Sequence, residues 1–488
     1  MTSTLPLPSK HGHQAPLAEA FIEKDALRTT FAFALSTMYK AEVPLYGDLV
    51  RIVHDINTPA HAQSATLSSE SPSRLTLERH GAIRLGTPAE LHTMRRVFEL
   101  LGMEPVGYYD LSIAGLPMHA TCFRPVTAAA LAQNPFRVFT TLLRPELLKS
   151  TAARDTAMAI LAKRRIFTDE LLEILDLAET QQGGYLTAPQ AESFIAQAML
   201  TFGWRSVAAA TRDEYELLKS EHPILADIAC FRSAHINHLT PRTLDIGVAQ
   251  EDMRAAGMAV KSRIEGPPAR ECPILLRQTS FLALEEKIRF QTREDDRDGG
   301  EFAQGSHKAR FGEIEERGAA VTLAGRRLYD ELLGKAMNRA AAEGGDVDAV
   351  LTEVFQAYPD SWAELRQRGL VYFEYRCTGK MVNVPDIMIA DARSEDLLEK
   401  LIAEKIVEAV PITYEDFLPL SAAGIFQSNL QGNGQASASA VNEKMVGGDK
   451  EGYERALGCT VMDADDIYAS LQRESIKVCA RKLGLPIL

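Results

Sequence analysis

The chain has 488 residues, 46% of them apolar and 24% charged, which are ordinary proportions for a globular protein with room for roughly two or three domains. Its 53 basic and 66 acidic residues leave a formal net charge of -13, which excludes the broad basic surface that a nucleic-acid backbone or an anionic membrane requires. No run of about 18 apolar residues is available to span a bilayer, and the first residues lack the apolar core of a secretion signal, so a cytoplasmic protein is expected.

Six cysteines, Cys122, Cys230, Cys272, Cys377, Cys459 and Cys479, are scattered without a C-x-x-C pair and read as reduced core residues. Residues 1–74 read as an N-terminal helical segment, helical over 17–50 and ending in a polar loop at 64–73 that delivers the chain into a strand at about Leu75. In Thr87-Pro88-Ala89-Glu90 the threonine caps a helix, proline occupies its first turn and glutamate reaches back to the cap. Leu91, Met94, Phe98 and Leu101 mark one face of that helix, and Gly102 stops it. The flanking RHGAIRLG and PVGYYDLSIAGLPMHATCFRP alternate like strands, so a first β-α-β-β-β unit is placed at 75–127.

Residues 128–230, rich in Ala, Leu and Glu at helical spacing, read as a helical insertion. A second unit at 231–322 repeats the grammar of the first. His238-Leu239-Thr240-Pro241-Arg242 parallels His80-Gly81-Ala82-Ile83-Arg84, and each is followed by a short helix ending in Gly-Met, at Gly102-Met103 and Gly257-Met258. Residues 323–488 read as a C-terminal helical region with one strand pair near 370–380, and the Gly, Ser, Asn and Gln rich tract 427–449 reads as a mobile loop or lid. The fold class expected is α+β: two repeated β-α-β-β-β modules forming a central curved sheet around a metal site, with added helical layers.

Four positions separate His80 from Arg84 and His238 from Arg242, so in a strand each pair shares a face. A lone strand histidine is usually a satisfied core residue. Two at equivalent points of a repeat are brought together if the units are related by a pseudo-two-fold axis. His235, three residues before His238, is the competing candidate, and register with His80 favours His238. An anionic partner is available in ARFGEIEERG (309–318), where Glu313 and Glu315 share a face and Glu316 takes the other. Two imidazoles and one carboxylate are the donor set that holds non-haem iron(II) with open coordination positions.

These segments together resemble the vicinal oxygen chelate superfamily and, more closely, the 2-oxoadipate dioxygenase/decarboxylase (hydroxyglutarate synthase) family, over about residues 17–480. The most specific stretches are LERHGAIRLGT (77–87), FRSAHINHLTPRTLDI (231–246), ARFGEIEERG (309–318) and FLPLSAAGIFQSNL (417–430). The resemblance implies a metal triad of His80, His238 and Glu313, Fe(II) as cofactor, and substrate contacts at Arg84, Leu420 and Ser421. It implies decarboxylation and oxygenation of 2-oxoadipate by O2 to 2-hydroxyglutarate and CO2, as in lysine catabolism, with no nucleic acid or membrane as partner. Arg84 suits the distal carboxylate because its planar fork makes two parallel hydrogen bonds. Arg242 and Gln278 are candidate supporting groups. Two alternatives stand beside this reading: another 2-oxo-acid dioxygenase of the 4-hydroxyphenylpyruvate type, and a non-catalytic small-acid binder of the same fold.

Overall fold

The structure, a computed structural model, describes residues 20–63, 72–290, 303–343, 346–380, 394–418 and 448–485. It is a mixed α+β protein whose principal sheet has five strands: β1 (Arg79–Leu85), β2 (Glu104–Asp110), β3 (Met118–Arg124), β4 (Arg137–Leu143) and β5 (Leu239–Pro241). Their order in the sheet is β2-β3-β4-β1-β5. β1 runs parallel to β4, with His80 opposite Arg137 and Arg84 opposite Thr141, and antiparallel to β5, with His80 opposite Thr240.

The helix between β1 and β2, Pro88–Leu100, starts as its sequence dictates: Thr87 and Glu90 close a capping box, a device worth about 1 kcal/mol. Gly102 follows the helix at φ 66° and Gly257 takes the corresponding position at φ 80° after the helix Ile246–Ala255, both in the region where glycine alone avoids a steric cost.

Two further strands, β6 (Leu276–Ser280) and β9 (Glu313–Arg317), pair antiparallel with Glu313 opposite Ser280. Between them β7 (Glu285–Phe290) and β8 (Ala303–Lys308) form a hairpin. A parallel bridge from Arg242 to Glu315 joins the end of β5 to β9, and antiparallel bridges join Val260 to Phe281 and Glu265 to Gln278. In the last pair, β10 (Phe373–Cys377) lies in the stretch 370–380 where a strand pair was expected, and its partner β11 (Val407–Pro411) comes later in the chain.

Both faces of the principal sheet are covered. Ile83 and Leu85 pack with the helices Lys24–Glu42 and Pro88–Leu100, whereas Ala82 and Phe139 on the other face join a second apolar cluster with the helices Thr151–Lys163 and Pro223–Ala229. A third cluster belongs to the C-terminal region, with Tyr329, Leu332, Phe373 and Cys479. All six cysteines are free, and four are buried.

Two expectations are corrected here. Residues Pro72–Leu77 form a short helix, with the proline in its first turn, so the first strand begins at Arg79 and not at about Leu75. The stretch expected to be wholly helical from residue 128 contains β4, RVFTTLL, buried throughout. A strand covered on both faces loses the polar and apolar alternation that announces a strand in sequence. The tract 427–447 lies outside the described residues. No described helix is long and apolar enough to cross a membrane.

Candidate metal centre

His80 enters on β1 next to Gly81. A Cβ at Gly81 would stand 2.4 Å from Ile236 Cδ1 and 3.0 Å from the His238 carbonyl oxygen, so the absent side chain lets the 236–238 segment cross close to the strand. That segment is fixed by its backbone: Asn237 N–H donates to the Ala82 carbonyl at 3.0 Å, and Phe311 N–H to the Asn237 carbonyl at 3.1 Å. The buried Tyr39 hydroxyl, on the helix Lys24–Glu42, reaches the carbonyls of both Asn237 (2.9 Å) and Phe311 (2.7 Å). The N-terminal helix thereby clamps the two segments that carry His238 and Glu313.

The result is a group of three side chains from distant parts of the chain. Donor atoms of His80, His238 and Glu313 lie within 4.8 Å of one another, and all three residues are buried. His80 Nε2 is 2.9 Å and His238 Nε2 3.9 Å from Glu313 Oε1, which also accepts from the Thr240 hydroxyl at 3.0 Å. Glu313 Oε2 and His238 Nδ1 are buried and have no hydrogen-bond partner among the described residues. Burial, reinforced by the Arg137 charge, pushes His80 down to about 4 against the partial offset of Glu313. Burial and the charges of His80, Arg84 and Lys261 hold His238 well below the usual histidine range. Both imidazoles are therefore neutral at physiological pH, the state in which histidine ligates a metal.

The donor set fits a divalent ion on three counts: two neutral imidazoles, one carboxylate, and buried polar atoms unmatched among the described residues. Around it stands a second layer. His80 Nδ1 lies 3.2 Å from Glu315 Oε2, without the alignment of a hydrogen bond. Glu315 is held in turn by Arg137 Nη2 at 2.7 Å and Arg317 Nε at 3.0 Å. Phe417 closes one side, its ring 4.9 Å edge-on from His80 and 4.5 Å beneath the Arg137 guanidinium, while Phe311 stacks on His238 at 4.7 Å.

The other sequence-predicted residues divide. Arg84 is buried on the same face of β1 as His80, and its Nη1 donates to Asp227. His235 is turned away from the triad, 3.1 Å from Asp227 Oδ1. Arg242 donates to Glu78 at 3.3 Å, and Glu316 pairs with Arg277 at the same distance, away from the triad. Gln278 is buried and exchanges backbone hydrogen bonds with Glu265. Leu420 and Ser421 lie outside the described residues. Sequence reasoning missed Thr240, Arg137, Asp227, His307 and Phe417. Asp227 did carry a signal, as the one acid in the apolar helix PILADIA (223–229).

A family model described as 2-oxoadipate dioxygenase/decarboxylase matches residues 31–429, most of the chain. The chain belongs to that family. Among its relatives, the 2-oxoadipate dioxygenase/decarboxylase of Pseudomonas putida is 45% identical over 480 residues, covering 96% of this chain and 99% of the other. The Escherichia coli protein of the same name is 46% identical over 466 residues, covering 94% and 98%. A crystal structure of the Pseudomonas putida hydroxyglutarate synthase in complex with 2-oxoadipate superposes with a TM-score of 0.81 at 43% identity, covering 95% of this chain and 99% of that one.

Proposed function

We propose that this member of the 2-oxoadipate dioxygenase/decarboxylase family converts 2-oxoadipate and O2 to 2-hydroxyglutarate and CO2, with iron(II) held by His80, His238 and Glu313. The observation that carries the reading is the meeting of those three buried donors within 4.8 Å, in a chain that the family model matches over 31–429. When bound, iron(II) supplies a centre that a 2-oxo acid can chelate and the redox chemistry that lets ground-state dioxygen react with it. The two products together contain all the atoms of 2-oxoadipate and O2, so no external reductant is consumed.

The chain's own residues supply position and exclusion. Neutral His80 and His238 offer lone pairs and not protons, and Thr240 fixes the carboxylate of Glu313 by donating to Oε1. Arg84 binds the distal carboxylate of the substrate; Ser421 and the backbone near Leu420 complete that clamp, a role that rests on the family resemblance. Holding the far end of a flexible dicarboxylate selects the conformer whose 2-oxo end faces the triad, which removes orientational freedom before chemistry begins. Phe311 and Phe417, packed on the two imidazoles, keep water from the reacting end.

The same reading extends to the fold. If β4 is counted with the first unit, which then runs past 127 to Leu143, β1 lies parallel to its last strand; in the second, the Arg242–Glu315 bridge sets the end of β5 parallel to the last strand β9. This correspondence supports two β-α-β-β-β modules of the vicinal oxygen chelate kind around one centre. The test is iron loading without oxygen: about one ion per chain is expected, followed by oxygen uptake that depends on both iron and 2-oxoadipate. Failure to bind iron while folded sinks the reading.

A further inference from the structure

The side chain of Arg84 ends on Asp227, and Asp227 is the centre of a buried polar cluster apart from the metal triad. Its carboxylate accepts from Arg84 Nη1 and, at 2.9 Å, from His307 Nε2, with His235 Nε2 at 3.1 Å. His307 Nδ1 stands 2.9 Å from the Tyr215 hydroxyl. A carboxylate only accepts, so Nε2 of His307 donates to Asp227, and in the tautomer protonated at Nε2 the ring's Nδ1 accepts from the Tyr215 hydroxyl. The result is a directed chain, Tyr215 to His307 to Asp227, which ends at the guanidinium of Arg84.

Each link is fixed independently. Asp227 sits in the helix Pro223–Ala229, where the six residues from Ile224 to Ala229 are buried and Pro223 sets the first turn. His307 lies on β8, flanked by Trp204 at 5.9 Å in a stacked arrangement and by Phe231 at 4.7 Å. Burial alone pushes the Asp227 carboxyl up, but Arg84, His235 and His307 together hold it well below the usual carboxylate range. A long arginine has several rotatable bonds, and a carboxylate anchored at a fixed depth is what gives its planar fork one orientation.

We propose that Asp227 is a positioning residue for Arg84, aiming the guanidinium at the distal carboxylate and thereby setting the selectivity for 2-oxo acids that carry one. The inference deepens the reading given above, since it rests on Arg84 as the distal clamp. The insertion between the two units thus supplies the helix that tunes the substrate end of the site, while the metal end is built by the strands.

The test compares 2-oxoadipate with 2-oxohexanoate, the same chain without the distal carboxylate, in wild type, Asp227→Asn, Arg84→Met, the double variant and Tyr215→Phe. Asp227→Asn is expected to lower the ratio of the two kcat/KM values by about tenfold or more at unchanged iron content, as a displaced clamp does. Because Asp227 acts through Arg84, the change should vanish in the Arg84→Met background. The same order is expected from binding of each acid measured without oxygen, which reads the clamp without turnover. An unchanged ratio in Asp227→Asn, beside a collapsed ratio in Arg84→Met, overturns the positioning role alone. An unchanged ratio in Arg84→Met overturns the clamp itself and the proposal with it. Should Asp227→Asn fail to fold, Tyr215→Phe keeps Asp227 and Arg84 and must still lower the ratio by a smaller factor; a wild-type ratio there overturns the relay.

Discussion

His80 Nε2 lies 2.9 Å from Glu313 Oε1, although 233 positions separate the two residues in the chain. A buried imidazole and carboxylate this close share a hydrogen bond, and a cation bound by both and by His238 would take its place with three ligand bonds.

His238→Ala should therefore weaken iron binding by more than about 100-fold, beyond what loss of a merely supporting contact costs. His235→Ala should leave the iron content near wild type, because His235 faces Asp227. Metal analysis after dialysis against a weak chelator separates the two, and the reverse order would move the ligand to His235.

Arg84→Lys should retain iron yet lose most turnover, since an ammonium keeps the charge without the two-pronged geometry. Iron content and steady-state rates on the same preparation check this. Loss of the metal together with turnover would make Arg84 a structural residue.

Glu315→Gln removes the negative charge between Arg137 and Arg317, both buried. Arg317 keeps Glu78 at 2.8 Å and Glu415, so the charge left uncompensated is that of Arg137, which should cost about 3–5 kcal/mol of stability. Chemical denaturation of the metal-free protein measures the loss, and a cost below about 1 kcal/mol would mean that the cluster relaxes or hydrates.

His119 is pushed down to about 4 by burial first and by the Arg144 charge second. Its ordinary value is 6.5, so between those limits the unfolded chain binds a proton that the folded chain refuses. Stability conferred by neutral His119 is thus present above 6.5 and is lost as pH falls toward 4, by at most about 1.4 kcal/mol per pH unit. His119→Gln should flatten the acid limb of a denaturation series across that window, and an unchanged slope would contradict the assignment.

What was legible in the sequence, and what was not, follows from the range of each interaction. The capping box at Thr87 and Glu90 and the glycine stops at 102 and 257 are local, and the structure has them where the sequence places them. His80 and His238 stood out because both begin a repeated pattern; strand alternation left Glu313 and Glu315 together on one face, and the family resemblance singled out Glu313. Asp227, Arg137 and Phe417 were not visible in that way. Their roles come from what the fold sets beside them: Arg137 meets His80 only through the parallel pairing of β1 with β4, and Phe417 meets both from 280 positions or more further along the chain. Strand β4 was hidden for a related reason, since burial on both faces erased its alternation.

The reaction at the His80, His238 and Glu313 centre is measured by mixing iron-loaded, oxygen-free protein with 2-oxoadipate, admitting oxygen, and following O2 consumed, CO2 released and 2-hydroxyglutarate formed together. Equimolar amounts of all three are expected, with no added 2-oxoglutarate or reductant, and none of them in a His80→Ala variant. Carbon dioxide released without oxygen uptake, or oxygen uptake without 2-hydroxyglutarate, would contradict the proposed reaction.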